Sequence, residues 1–194
     1  MLDYIPSIIT ESVNLSSAVL IPIAYINGEE HIIFEVRSSS LGDQPGDVCL
    51  PGGAIEEGET PSSAAIRECC EELLVERDQV ELQYPTPVLS RLGLTIYPFL
   101  AYIRDYDLQF NKDEVSSVFT VPLQYFKGNE PKRFKTEWKV TIGDDFPSDL
   151  VAGGKGYKWR KHIEEQLFYQ YEDHVIWGYT AKIIYAWITK GKTI

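Results

Sequence analysis

Residues 17–26 and 31–37 are runs of β-branched and aliphatic side chains of strand length. They are joined across Asn27-Gly28, a pair suited to a type I′ turn, so together they predict a β-hairpin. Similar short runs predict strands near 48–50, 80–84, 88–91, 95–103 and 118–121. The pattern changes after Thr60. Over residues 61–74, Ala65, Ile66, Cys69, Cys70 and Leu73 form an apolar stripe at helical spacing, with Thr60 placed to cap and Pro61 at the first helical position. A last amphipathic helix is predicted over 179–189, ahead of Gly191. Strands interrupted by a few helices give the α+β class with a mixed sheet.

The stretch from Pro131 to His174 is the least regular. Residues 133–142 alternate well enough for a strand, and 144–156 are Gly-rich and polar, as in a loop. Lys132, Arg133, Lys135, Lys155, Lys158, Arg160 and Lys161 gather here. Singly these read as solvated surface charge; together they form a landing site for a remote phosphate. No repeat, low-complexity tract or long linker divides the 194 residues, so 1–194 is expected to be one domain.

Charge narrows the partners. A formal net charge of -11 repels a polyanion, which argues against nucleic-acid binding. A small anionic substrate meets the same repulsion unless cations invert the local field. Cys49, Cys69 and Cys70 are an odd, small set whose adjacent pair is poorly placed for a disulfide; they read as reduced core residues and point to the cytoplasm. The N-terminus lacks a basic segment followed by a long apolar one, and the run 18–26 is short and broken by Pro22, so neither secretion nor membrane insertion is expected. The sequence admits a homodimer without requiring one.

The chemistry concentrates between Gly53 and Val75. Glu68, Glu71 and Glu72 stand at i, i+3 and i+4 of the predicted helix, so their carboxylates share a side. Such a cluster calls for a counter-ion, and hard oxygen donors suit Mg2+ or Mn2+. Arg67 lies four residues before Glu71 and eight after Glu59, within reach of both; its planar fork reads as the organiser of the acids, outside the bond-breaking itself. The loop Glu56-Glu57-Gly58-Glu59 adds acid at the N-terminal end of the helix, and Pro51-Gly52-Gly53 lets the backbone approach closely.

Read as a pattern, Gly53, Glu59, Arg67-Glu68 and Glu71-Glu72 give G-x5-E-x7-RE-x2-EE, which resembles the signature of the Nudix hydrolases. Two positions depart from it. Leu74 stands where the family usually carries Gly, and Cys69 where it carries an aliphatic residue. The resemblance implies an α/β/α sandwich with a mixed sheet and a catalytic loop-helix-loop. It also implies metal-assisted attack of water on a nucleoside diphosphate-linked substrate. Glu68 and Glu72, helped by Glu71, would hold the metal; Glu71 or Glu114 would accept the proton; Arg67 and Glu59 complete the set.

The segments Arg37-Ser38-Ser39-Ser40-Leu41, Gln44-Pro45-Gly46-Asp47-Val48 and Leu50-Pro51-Gly52-Gly53 further resemble the coenzyme A pyrophosphatase subgroup, as do Ile176-Trp177-Gly178 and Thr180-Ala181. Gly42, Gln44 and Leu50 depart from that subgroup. Its implied substrate is coenzyme A or acyl-coenzyme A, cut to 3′,5′-ADP and (acyl-)4′-phosphopantetheine, with Arg37, Gly46, Gly52 and Gly53 at the substrate. Two alternatives stay open: a Nudix hydrolase of ADP-ribose or another nucleotide, and a nucleotide-binding sensor that does not cut.

Overall fold

The computed structural model describes residues 15–91 and 93–190. Gly191, read above as the stop of the last helix, lies outside them, as do the N-terminal residues read for a leader. β1 (Leu15–Ile26) and β2 (Glu29–Arg37) form the expected hairpin. Asn27 and Gly28 both take positive φ, +52° and +85°, as a type I′ turn requires. Then follow β3 (Val48–Cys49), β4 (Gly52–Ala54), α1 (Pro61–Leu73), β5 (Val80–Pro85), β6 (Leu89–Arg91), β7 (Leu94–Ile103) and β8 (Val115–Pro122). The chain continues through α2 (Leu123–Gly128), β9 (Lys132–Trp138), β10 (His162–Tyr171), β11 (His174–Trp177) and α3 (Gly178–Lys190).

β1 to β8 build one mixed sheet, with the central path β3-β2-β1-β7-β5 and β4, β6 and β8 joined to β1, β7 and β2. Among the described residues only the β1–β7 pairing in it is parallel. β9, β10 and β11 form a second, antiparallel sheet.

Alternation along the strands sends side chains to opposite faces of the main sheet. Ala18, Leu20 and Ala24 of β1 and Ile33 of β2 meet Ala64, Ala65, Ile66, Cys69 and Leu73 of α1. Ile21 and Ile23 of β1 and Ile32 and Phe34 of β2 meet Leu167 and Tyr169 of β10, Ile176 of β11 and Ala181, Ile184 and Trp187 of α3. Each fully buried aliphatic here contributes about 1.5–3 kcal/mol. The expected α/β/α layering is thus present, with the second sheet sharing one outer layer with α3.

Proline inside a central strand is a conflict that the partner changes resolve. Leu20 donates its backbone N–H to Pro51, so Pro22, two residues on, turns its missing N–H to the same side. On that side β1 leaves β4 after Val19 and reaches β2 only at Ile23. Pro22 falls in the gap.

The structure departs from the sequence reading in five elements. β9 stops at Trp138, short of residue 142. β10 and β11 lie in the stretch that showed no clear period: β10 buries the charged Glu164 beside Leu167 and Tyr169 and leaves Ile163 exposed. β4 has two glycines in three residues and exists through its pairing with Ser17, Ala18 and Val19. α2 is six residues long, too short for a helical period to show.

Candidate active site

α1 starts as expected. Ser63 donates its backbone N–H to the Thr60 hydroxyl at 3.2 Å, and Thr60 donates its own to the Ser63 hydroxyl at 3.0 Å, closing a capping box. At the other end Leu74 holds φ +51°, ψ +41°, the left-handed conformation that explains why the signature places Gly there.

Between these caps Arg67 gathers the acids. Its Nε and Nη2 donate to the two Glu59 oxygens at 2.9 and 3.0 Å, a bidentate grip. Nη1 reaches Glu68 at 2.9 Å and Glu71 at 3.2 Å, and Nη2 also donates to the Ala54 carbonyl. The Arg67 hydrogen bonds hold the Glu59 carboxyl below the usual carboxylate range. Both Glu59 oxygens are engaged, which makes this residue a brace between loop and helix.

The three helix acids, neighbours by spacing, differ in depth. Glu71 is half exposed, Glu68 is largely covered, and Glu72 is buried at 4% exposure. α1 lies close on β4, so the turn of helix that carries Glu72 faces the sheet; Glu72 accepts the Gly52 backbone N–H at 2.8 Å. Gly53 sits against Glu68: a Cβ at Gly53 would fall 2.4 Å from the Glu68 carboxylate. At Gly52 a Cβ would fall 2.4 Å from the Ala18 carbonyl oxygen. Both glycines are therefore required by close approach.

Glu114 closes the cluster from a third element. Asn111 donates its side-chain amide to Glu114 at 3.2 Å and its backbone N–H to the Glu72 carbonyl at 2.8 Å, tying this loop to the end of α1. Asp113 beside it is exposed.

A residue missed in the sequence completes the set. Glu35 on β2 is 1% exposed and shares the α1-facing side with Ile33. The Cys49 thiol, opposite it on β3, donates to one Glu35 oxygen at 3.1 Å, and the other oxygen has no partner among the described residues. Burial, with repulsion from Glu114 and Glu68, pushes Glu35 up to about 7. Burial, then the charge of Glu35, pushes Glu72 up to about 9. Burial and the charge of neighbouring acids thus favour the protonated form of each. Burial also raises Glu68. The one sequence signal for Glu35 was an acid in the middle of the run Ile32-Ile33-Phe34-Glu35-Val36.

Among the described residues no three acidic, His or Cys side chains converge as a ready-made metal cage. The acids are instead turned to Arg67 and Gly52. The donor set still fits a hard divalent cation, because burial and mutual repulsion raise its carboxylates and one Glu35 oxygen has no partner among the described residues. The cysteines offer no nucleophile: burial raises all three thiols.

Arg37, at the end of β2, donates to the Asp43 carbonyl and lines two adjoining cavities of about 270 and 260 Å3. The second reaches Gly52 and Gly53. Gly46 occupies a turn at φ +79° and does not line either cavity. Of the basic residues read as a landing site, Arg133 pairs with Glu165 at 2.7 Å and Lys161 with Glu137 at 2.7 Å.

Comparison with known proteins places these features. A NUDIX domain model matches residues 17–141. Nudix hydrolase 3 of Caenorhabditis elegans is 33% identical over 125 residues, which are 61% of this chain and 52% of that protein. The peroxisomal coenzyme A diphosphatase NUDT7 of Mus musculus is 36% identical over 132 residues, 66% of this chain and 55% of that protein. The chain thus spans about half the length of these two relatives. The uncharacterized Nudix hydrolase NudL of Escherichia coli K12 is 30% identical over 184 residues, 92% of this chain and 84% of that protein. A MutT/nudix family protein of Enterococcus faecalis superposes with a TM-score of 0.51 at 13% identity, covering 89% of this chain and 54% of that one.

Proposed function

The chain belongs to the Nudix hydrolase family, and from that premise we propose that residues 1–194 act as one domain hydrolysing a diphosphate anhydride in coenzyme A or an acyl-coenzyme A. The products are 3′,5′-ADP and (acyl-)4′-phosphopantetheine. The observation that carries the reading is the cluster of Glu68, Glu72 and Glu35, three largely covered acids of which only Glu68 touches Arg67, beside a glycine pair that opens onto the Arg37 cavities.

A divalent cation, Mg2+ or Mn2+, supplies charge neutralisation at the diphosphate and a more acidic water. Glu68 and Glu72 would be its principal ligands. Arg67, fixed by Glu59, keeps the helix acids in register without touching the substrate. Gly52 and Gly53 let the diphosphate approach the main chain. Glu71 is committed to Arg67, so we assign acceptance of the water proton to Glu114, which Asn111 holds at the edge of the cluster.

Support for coenzyme A comes from the Arg37–Gly53 segment and from the similarity to a coenzyme A diphosphatase. The same chemistry would cut ADP-ribose. Rates on coenzyme A, acyl-coenzyme A, ADP-ribose and dinucleotides with Mg2+ and Mn2+ decide: the highest kcat/KM is expected on a coenzyme A species. A higher value on ADP-ribose would overturn the substrate assignment. Nucleotide binding without turnover on any of them would favour a sensor.

A further inference from the structure

Arg91 ends β6 at the wall of the cavity that Arg37 also lines, together with Trp138, Gln166, Trp177 and Tyr179. Its guanidinium lies 5.0 Å from the centre of the Trp138 ring, and its Nη1 pairs with Glu164 of β10. Glu164 is buried and has little left to offer. It accepts Lys182 at 2.5 Å, Gln166 at 2.8 Å and Trp138 Nε1 at 3.3 Å besides Arg91 Nη1, four donors for a carboxylate's roughly four lone-pair sites. Although burial pushes Glu164 up, the hydrogen bonds from Lys182 and Trp138 and the charges of Lys182 and Arg91 hold it below the usual carboxylate range.

Two facts are left over. Arg91 Nε and Nη2 are buried without a hydrogen-bond partner among the described residues. These two nitrogens form one edge of the guanidinium, the edge that grips a carboxylate or phosphate with two parallel hydrogen bonds. Two cations, Arg91 and Lys182, also face the single charge of Glu164; on the same cavity Arg37 adds a third cation and Asp47 a second anion, three against two. In a chain of net charge -11 this corner carries a local positive excess.

We propose that the Arg91 corner is a phosphate subsite, with the Nε–Nη2 edge of Arg91 as the fork, Arg37 as a second cation, and the half-exposed Trp138 ring as the cover that turns aside when a ligand enters. The adjoining cavity shares Arg37, Gln44, Cys49, Tyr179 and Thr180 with this one and ends at Gly52 and Gly53. A substrate whose diphosphate lies over the acids therefore reaches the corner with a phosphate on its nucleoside end. This rests on the coenzyme A reading and deepens it: the group recognised is the 3′-phosphate, and the reader is a residue that precedes the second sheet and is held by it.

The test is calorimetric titration of the full chain with 3′,5′-ADP and with 5′-AMP, neither of which is cut. Two charge-assisted hydrogen bonds should make 3′,5′-ADP bind about tenfold to a hundredfold more tightly. Arg91→Ala should bring the two within about twofold, leaving 5′-AMP affinity unchanged. Arg91→Lys keeps the charge opposite Glu164 but loses the fork; it guards against misfolding and should also lose most of the preference. Equal binding of both nucleotides by the wild type, or a preference that survives in the folded lysine variant, would overturn the proposal. Failure of the substrate reading looks different: ADP-ribose would be the better substrate while the Arg91-dependent preference stayed in place.

Discussion

Glu35→Gln removes one charge from the buried pair and changes little else. Its amide can still accept the Cys49 thiol, and its size is that of the carboxyl it replaces. A carboxyl raised in the folded state holds its proton after the unfolded chain has lost it, so stability falls as pH climbs from about 4.5 through 7. At about 1.4 kcal/mol per pH unit, the raised Glu35 carboxyl costs the native state about 3 kcal/mol at pH 8.5, where it is ionised, and about 1 kcal/mol at pH 5.5, where it still holds a proton the unfolded chain has lost. The variant should therefore gain at least about 2 kcal/mol over wild type between those two pH values. Lowering of the Glu72 pKa, once its charged neighbour is gone, adds in the same direction. Urea unfolding of both proteins in EDTA at the two pH values gives the number directly. Parallel stability curves would refute the claim that Glu35 is a buried, electrostatically frustrated acid of the site.

Three further outcomes are expected. Leu74→Gly should stabilise the protein by about 1 kcal/mol with kcat unchanged, because it relieves a left-handed residue that is 55% exposed; a fall in Tm would contradict this. Glu68→Gln and Glu72→Gln should each lower kcat by at least about a hundredfold while the protein stays folded by circular dichroism, and near-normal turnover at saturating metal would remove them as ligands. Glu114→Gln should lower kcat far more than it weakens Mn2+ binding measured by calorimetry, and the reverse split would make Glu114 a ligand and not the base.

Helix α1 was legible because its information is local: a cap, a proline, an apolar stripe and charges at fixed spacing all lie within residues 60–74. What escaped depends on distant pairing. Glu35 reads as one acid in an apolar strand until β3 sets Cys49 opposite it and α1 lays Glu72 over it. Arg91, Glu164 and Lys182 lie on three elements far apart in the chain, and β10 alternates too weakly to announce itself. The burial of Glu72 was not legible for a similar reason, since helical spacing gives which residues are neighbours but not how deeply the helix beds on the sheet.

The central claim is hydrolysis of a diphosphate by the acidic face of α1. Its most direct test is to incubate the purified chain with coenzyme A and follow products by mass spectrometry, with Mg2+ or Mn2+ and with EDTA. Equimolar 3′,5′-ADP and 4′-phosphopantetheine that form only with metal, and that vanish in Glu72→Gln, are the predicted result. Intact coenzyme A under every metal condition, or the same products formed at equal rate by Glu72→Gln, would contradict it.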